Sequence, residues 1–293
     1  MMNRVLHFLA AGLLAASTAV SCIINIGGNG AVQVFQCTEE GIDHTEVREV
    51  GRFRAVASSL PANVYYVQAD KQEVRVASTE ELAPKVLTTV EDGKLSLKLE
   101  PGRYPKLILR VVVSSPDIES LQVNGSGSLF HEGVLHASGG LALKVSGSGD
   151  MQVGIIESRD FSARCSGSGD IRIEGISCDG FDGSVSGSGT MRLGSISCEG
   201  FEASVSGSGD FLVSKVTAKR GASAWVFGSG DIRLTEVTVD GNMDLKTSGS
   251  GDITVNGSCH DVTATISGSG DISGNLAHTG ISTKTTGSGE IRL

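Results

Sequence analysis

One triplet, Gly-Ser-Gly, recurs nine times, at Gly125, Gly147, Gly167, Gly187, Gly207, Gly228, Gly249, Gly268 and Gly287, in steps of 22, 20, 20, 20, 21, 21, 19 and 19 residues. A period near 20 residues means one structural unit stacked on itself, with no compact globule around a single deep cleft. Aligning the copies on the first glycine shows what each unit contains. Six, four and two residues before it stand Phe161, Ala163 and Cys165, then Phe181, Gly183 and Val185, then Phe201, Ala203 and Val205. Spacing of two puts all three side chains on one face of a strand. After the triplet the alternation resumes, as in Ile171-Arg172-Ile173, Met191-Arg192-Leu193 and Ile232-Arg233-Leu234, and a further apolar column follows in Ile156, Ile176, Ile196, Val216 and Val237.

Each unit therefore carries two short strands, joined by a tight Gly-Ser-Gly corner and a longer return loop. An antiparallel meander would prefer short hairpin turns at both ends of each strand. The longer second connection favours a parallel β-solenoid, with equivalent strands about 4.8 Å apart. Glycine, 40 of 293 residues, is expected at the corners because it tolerates backbone angles costly for other residues.

The remaining chain divides in three. Residues 1–21 read as a secretory leader: Arg4, an apolar run from Phe8 to Ala16, then small residues to Ser21. Ala19-Val20-Ser21-Cys22 is a loose lipobox, which favours Cys22 as a lipidated first residue; otherwise a cut after Ala19 would leave Cys22 free to bridge Cys37. Residues 22–45 read as a tether, and 46–124 as an irregular N-terminal β region capping the solenoid of 125–293. In that region Val64-Tyr65-Tyr66-Val67, Val74-Arg75-Val76 and Leu95–Leu99 alternate, Asp92-Gly93 signals a turn, and Leu107–Val113 suits a strand buried on both faces.

Together, the serial Gly-Ser-Gly-Asp corners, the leader ending in Cys22, Gly28-Asn29-Gly30, Arg52-Phe53 and Val64-Tyr65-Tyr66-Val67 resemble the head domain of autotransporter adhesins, the GIN domain family, over about residues 45–293. The resemblance implies an all-β, right-handed parallel β-helix of two sheets, one coil per ~20 residues, at the bacterial surface. It also implies a non-catalytic adhesive role toward a glycan or a protein.

Few residues offer chemistry. Asp150, Asp170, Asp210, Asp231, Asp252, Asp271 and Glu290 follow the triplets as a column. Calcium takes carboxylate oxygens, yet each coil supplies one acid, and the expected role is to accept N–H groups of the corner. Thr190 takes the place of an aspartate there, in keeping with that role. Cys178 and Cys198 hold equivalent places in adjacent coils, where a disulfide is a candidate in an exported protein; Cys165 sits in a valine column as a buried hydrophobe. Trp225, the only tryptophan, and Phe227 fall outward and mark a candidate binding surface. The six histidines keep no register, and no catalytic set, metal site or cofactor is expected. A net charge of −9 without a basic stripe excludes nucleic acid as a natural partner. The expected partners are a surface ligand and, through the lipid, the outer membrane; a homo-oligomer is left open. The other readings are a polysaccharide-active β-helix enzyme, which would need an irregular groove of acids and aromatics, and an envelope scaffold.

Overall fold

The alternating segments form strands wherever a second coil is present to bury them. The computed structural model describes residues 41–293 in full, and the strands Cys22–Ile26 and Val32–Cys37 as backbone only. These two strands pair antiparallel, with the Cα of Cys22 opposite that of Cys37. The leader, and the side chains of Cys22 and Cys37, lie outside the described residues.

Two sheets run the length of the molecule. The first follows the strands after each corner: Leu129–His136, Met151–Glu157, Ile171–Ser177 and onward to Ile291–Arg292, each parallel to the next. The second follows the strands before each corner: Ser120–Val123, Leu141–Val145, Asp160–Cys165, Gly180–Val185 and onward to Gly280–Thr285. Met191–Val205 and Phe211–Val226 serve both sheets in one continuous strand each. The chain is thus a parallel β-solenoid, and among the described residues its one helical element is the 3-10 turn Ala83–Lys85.

Core columns pass between the sheets. Ile156, Ile176, Ile196, Val216 and Val237 are in register and buried. Phe161, Phe181 and Phe201 stack above one another, the last two with centroids 5.0 Å apart at 8°. Gly183 interrupts the small-residue column beside them because the Phe211 ring fills its place, 2.5 Å from where a Cβ would stand.

The corners depart from the sequence expectation in their cause. Of the paired glycines in the nine triplets, only Gly287 has a φ in the left-handed range, at 133°. The others are glycine because corners press on corners. A Cβ on Gly187 would lie 2.0 Å from the carbonyl oxygen of Gly167, and one on Gly189 would lie 1.9 Å from that of Gly169. The same contact recurs from Gly147 to Gly289 at 1.9–2.2 Å. Hydrogen bonds draw the corners this close: the Gly167 carbonyl accepts from Ser188 N–H at 3.0 Å and from Gly189 N–H at 3.2 Å. Changes of step length are absorbed elsewhere. The register slips between Cys198 and Gly200, where a 21-residue coil meets a 20-residue one, and between Leu234 and Val237.

The parallel stack begins two coils before the first triplet, with Lys94–Leu99 and Leu109–Ser115 parallel to Ala55–Ser58 and Asn63–Gln68. Ala55–Ser58 and Asn63–Gln68 already pair in register with Ser120–Val123 and Leu129–His136. Beyond them the sheets end in antiparallel strands: His44–Arg48 on Glu73–Ser78 on Leu109–Ser115 in one, Val86–Glu91 on Lys94–Leu99 in the other. The second hairpin turns at Asp92 and Gly93, with φ of 49° and 72°. Leu109–Ser115 is buried at every position. Arg48 ties the two outermost strands, donating to the carbonyls of Val86 and Ala83.

Gly187→Ala is expected to cost about 3 kcal/mol, since the overpacked contact is backbone and cannot yield. A Cβ on Gly200 would meet nothing within 4 Å, so Gly200→Ala should stay within about 1 kcal/mol of the parent. Denaturation midpoints of the two variants decide the matter; equal losses would refute close approach as the reason for the corner glycines.

Candidate functional site

The acidic column forms a ladder along the solenoid. Asp150 Oδ1 accepts the N–H of Asp170 at 2.8 Å, and Asp170 Oδ1 that of Thr190 at 2.8 Å. After Thr190 the ladder resumes: Asp210 to Asp231 at 3.2 Å, Asp231 to Asp252 at 2.9 Å, Asp252 to Asp271 at 2.7 Å and Asp271 to Glu290 at 2.8 Å. Each carboxylate therefore satisfies a donor of the following coil, about 20 residues on, and not of its own corner. Asn256 does the same for Asn275 N–H at 2.9 Å. The second oxygen of Asp170 takes Arg172 at 2.7 Å and Arg192 at 3.3 Å. Repulsion between neighbouring acids is offset by these arginines and by the donated N–H groups.

Cys165, Cys178, Cys198 and Cys259 are free, buried thiols. Cys178 and Cys198 thus stand in adjacent coils as thiols and not as a crosslink. Burial pushes Cys178 up to about 12 and Cys198 up to about 11, which removes thiolate character at neutral pH. Cys165 donates to the Gly169 carbonyl at 2.9 Å and fills the valine column.

Trp225 and Phe227 belong to the outer face of the second sheet. Trp225 stands between Ser204 and Lys246, continuing the outward column Lys144, Arg164, Ser184. It is partly buried, and its indole N–H has no hydrogen-bond partner. Phe227 is 47% exposed. It fills a place that is serine in neighbouring coils, donating its N–H to Val205 as Ser206 does to Val185 and Ser248 to Val226. The Lys246 ammonium lies 5.9 Å from the Phe227 ring centroid. The remaining groups here are serines and basic side chains, and the two aromatics stand out from them.

The structure adds one buried polar site that sequence register missed. His131 is 6% exposed; its Nδ1 lies 3.0 Å from the Tyr66 carbonyl and its Nε2 has no partner. Burial holds its pKa below the usual histidine value. The Tyr66 hydroxyl meets Ser115 Oγ at 2.9 Å, and burial pushes it up to about 12. The signal was a period-two one: His131 takes an inward position on Leu129–His136, opposite Val153. Among the described residues no group of three or more His, Cys, Asp or Glu is placed to hold a metal ion, and no helix is long and apolar enough to cross a membrane.

Residues 52–236 and 224–293 match the family described as "Putative auto-transporter adhesin, head GIN domain". No curated protein is detectably similar in sequence. Solved structures share the fold. A putative adhesin from Bacteroides fragilis aligns at TM-score 0.59 and 18% identity, over 85% of this chain and 95% of its own. A structure described as a putative lipid binding protein from Parabacteroides distasonis gives 0.63 and 20%, over 87% and 98%. A putative adhesin from Parabacteroides merdae gives 0.63 and 17%, over 85% and 95%.

Replacing Asp231 with alanine should cost about 1–2 kcal/mol by leaving the Asp252 N–H unpaired, whereas Asp231→Asn, which keeps the acceptor, should cost under about 0.5 kcal/mol. Hydrogen exchange at the Asp252 amide reads this out directly. Equal protection in both variants would remove the ladder's structural role.

Proposed function

Because the chain belongs to the auto-transporter adhesin head, GIN domain, family, we propose that it is a non-catalytic cell-envelope protein whose solenoid presents a ligand-binding surface. The leader exports it, and a lipid on Cys22 holds it at the outer membrane. The carrying observation is the Trp225–Phe227 pair. The exposed Phe227 ring and the partly buried Trp225 ring together form an aromatic patch that a ligand can cover. An apolar sugar face stacks on such rings, with Ser204, Ser206 and Lys246 supplying polar contacts at the rim. A protein side chain fits the same set, and the ligand screen separates the two.

The enzyme reading needs titratable groups pushed apart in pKa. The buried thiols are instead shifted away from reactivity. These observations support binding over turnover.

On a glycan array and on cell and matrix surfaces, with and without calcium, the mature chain should bind. Trp225→Ala combined with Phe227→Ser should weaken that binding at least about tenfold, near 1.4 kcal/mol. No binding to any surface, or turnover of a polysaccharide, overturns the reading. For the anchor, metabolic labelling with a fatty-acid analogue should tag the parent and not Cys22→Ser; an untagged parent defeats it.

A further inference from the structure

A furrow of about 930 Å3 runs along the second sheet, at the start of its strands and on the side away from the Gly-Ser-Gly corners. It exists because a column of outward positions carries no side chain. Gly180, Gly200 and Gly221 follow one another in register after Asp160, and Asn242 closes the column. These glycines differ in kind from the corner glycines. None has a left-handed φ. A Cβ on Gly200 would meet nothing within 4 Å, one on Gly221 would lie 3.1 Å from the Asn242 carbonyl, and one on Gly180 would lie 3.2 Å from a carboxylate oxygen of Asp160. Neither backbone conformation nor packing requires glycine at Gly200, so what the column provides is the space itself.

That space is bare below and acidic at its side. Its floor is the backbone of Gly180, Gly200 and Gly221, with Phe161, Phe181 and Phe201 buried in the core beneath. Asp182, Glu202 and Asp244 share the next outward column. Asp182 is neutralised by Arg164 at 3.0 Å, and the one arginine lining the furrow, Arg220, is taken by Glu199 at 2.9 Å. Asp160, Glu202 and Asp244 have no ion pair among the described residues. They occur at every second rung, which at about 4.8 Å per rung sets them about 9.6 Å apart along the solenoid axis.

We propose that this furrow binds an extended, basic polypeptide segment of a partner protein. Three features select a polypeptide cation. Lysine and arginine combine a long apolar stem with a charged tip, and so suit a side-chain-free glycine floor beside a carboxylate wall. The furrow holds no open strand edge, since the sheet backbone is already laddered on both sides, so recognition falls to side chains. The acid spacing also matches a polyproline II chain, whose third residue returns to the same side after about 9.3 Å. Neither Trp225 nor Phe227 lines the furrow, so either site can fail alone.

Fluorescence anisotropy with a labelled peptide of five Lys-Pro-Pro repeats, titrated with the mature chain, tests it; the matching Glu-Pro-Pro peptide is the negative probe. Saturable binding is expected for the lysine peptide only. E202Q with D244N should weaken it at least about tenfold, and so should G200L, which fills the furrow without changing charge. E80Q with E81Q, an equal loss of charge on the cap, and W225A with F227S should each stay within about twofold. If G200L does not fold, the two charge pairs decide. No saturable binding, equal losses in the two charge pairs, or a folded G200L that binds like the parent overturns the proposal. A neutral oligosaccharide that binds the parent and not G200L, with the peptide ignored, would give the furrow to a glycan and overturn it as well.

Discussion

The contact on which everything else rests is backbone against backbone at the corners. From Gly147 to Gly268 the carbonyl of each triplet's first glycine takes two N–H groups from the corner that follows, and no side chain fits between them. This fixes the rung spacing on one side of the solenoid, and the columns inherit it. Phenylalanines stack face to face and isoleucines fall on isoleucines because the corners hold successive coils in register. The inward alternation supplies the burial, but alternation alone would leave coils free to slide by two residues. The corner interlock and the side-chain columns thus specify the same register, and neither has to be strained to meet the other.

Much of this was legible in the sequence, for a plain reason. Strand parity and repeat period are local properties, so the inward columns, the outward face of Trp225 and the buried place of Cys165 could be read by counting. Vertical relations could not. Gly187 and Gly200 are the same letter; one is locked under a carbonyl and the other faces open space. The aspartates have their own corners as sequence neighbours, while their true partners lie a coil away. The coil of Ala55–Ser58 and Asn63–Gln68 was hidden because its corner, Ser59–Ala62, holds no glycine. It needs none, since it is the following glycines, Gly125 and Gly127, that settle onto its carbonyls.

Against so regular a frame, the exceptions carry the information. Thr190 interrupts the carboxylate ladder, Phe227 interrupts a column of hydroxyls, and Gly180, Gly200 and Gly221 open a column that stacking does not require to be empty at Gly200. Trp225, Phe227 and the furrow lie on one sheet face, and the first sheet carries an outward aromatic pair of its own, Tyr65 stacked on Phe130 at 5.3 Å. A solenoid can vary a single outward residue at little structural cost, because that side chain touches only its counterparts above and below.

The ladders also have a direction. The carboxylate of Asp231 receives Asp252, and the carbonyl of Gly228 receives Ser250 and Gly251; in each case the acceptor precedes its donor in the chain. The N-terminal cap, with its antiparallel strands, comes before both. A polypeptide delivered N-terminus first through an export channel therefore presents a finished template to each arriving coil. Such a chain can fold by accretion, one turn at a time, each finished coil offering carbonyls before and within its corner and N–H groups after it to the coil that follows.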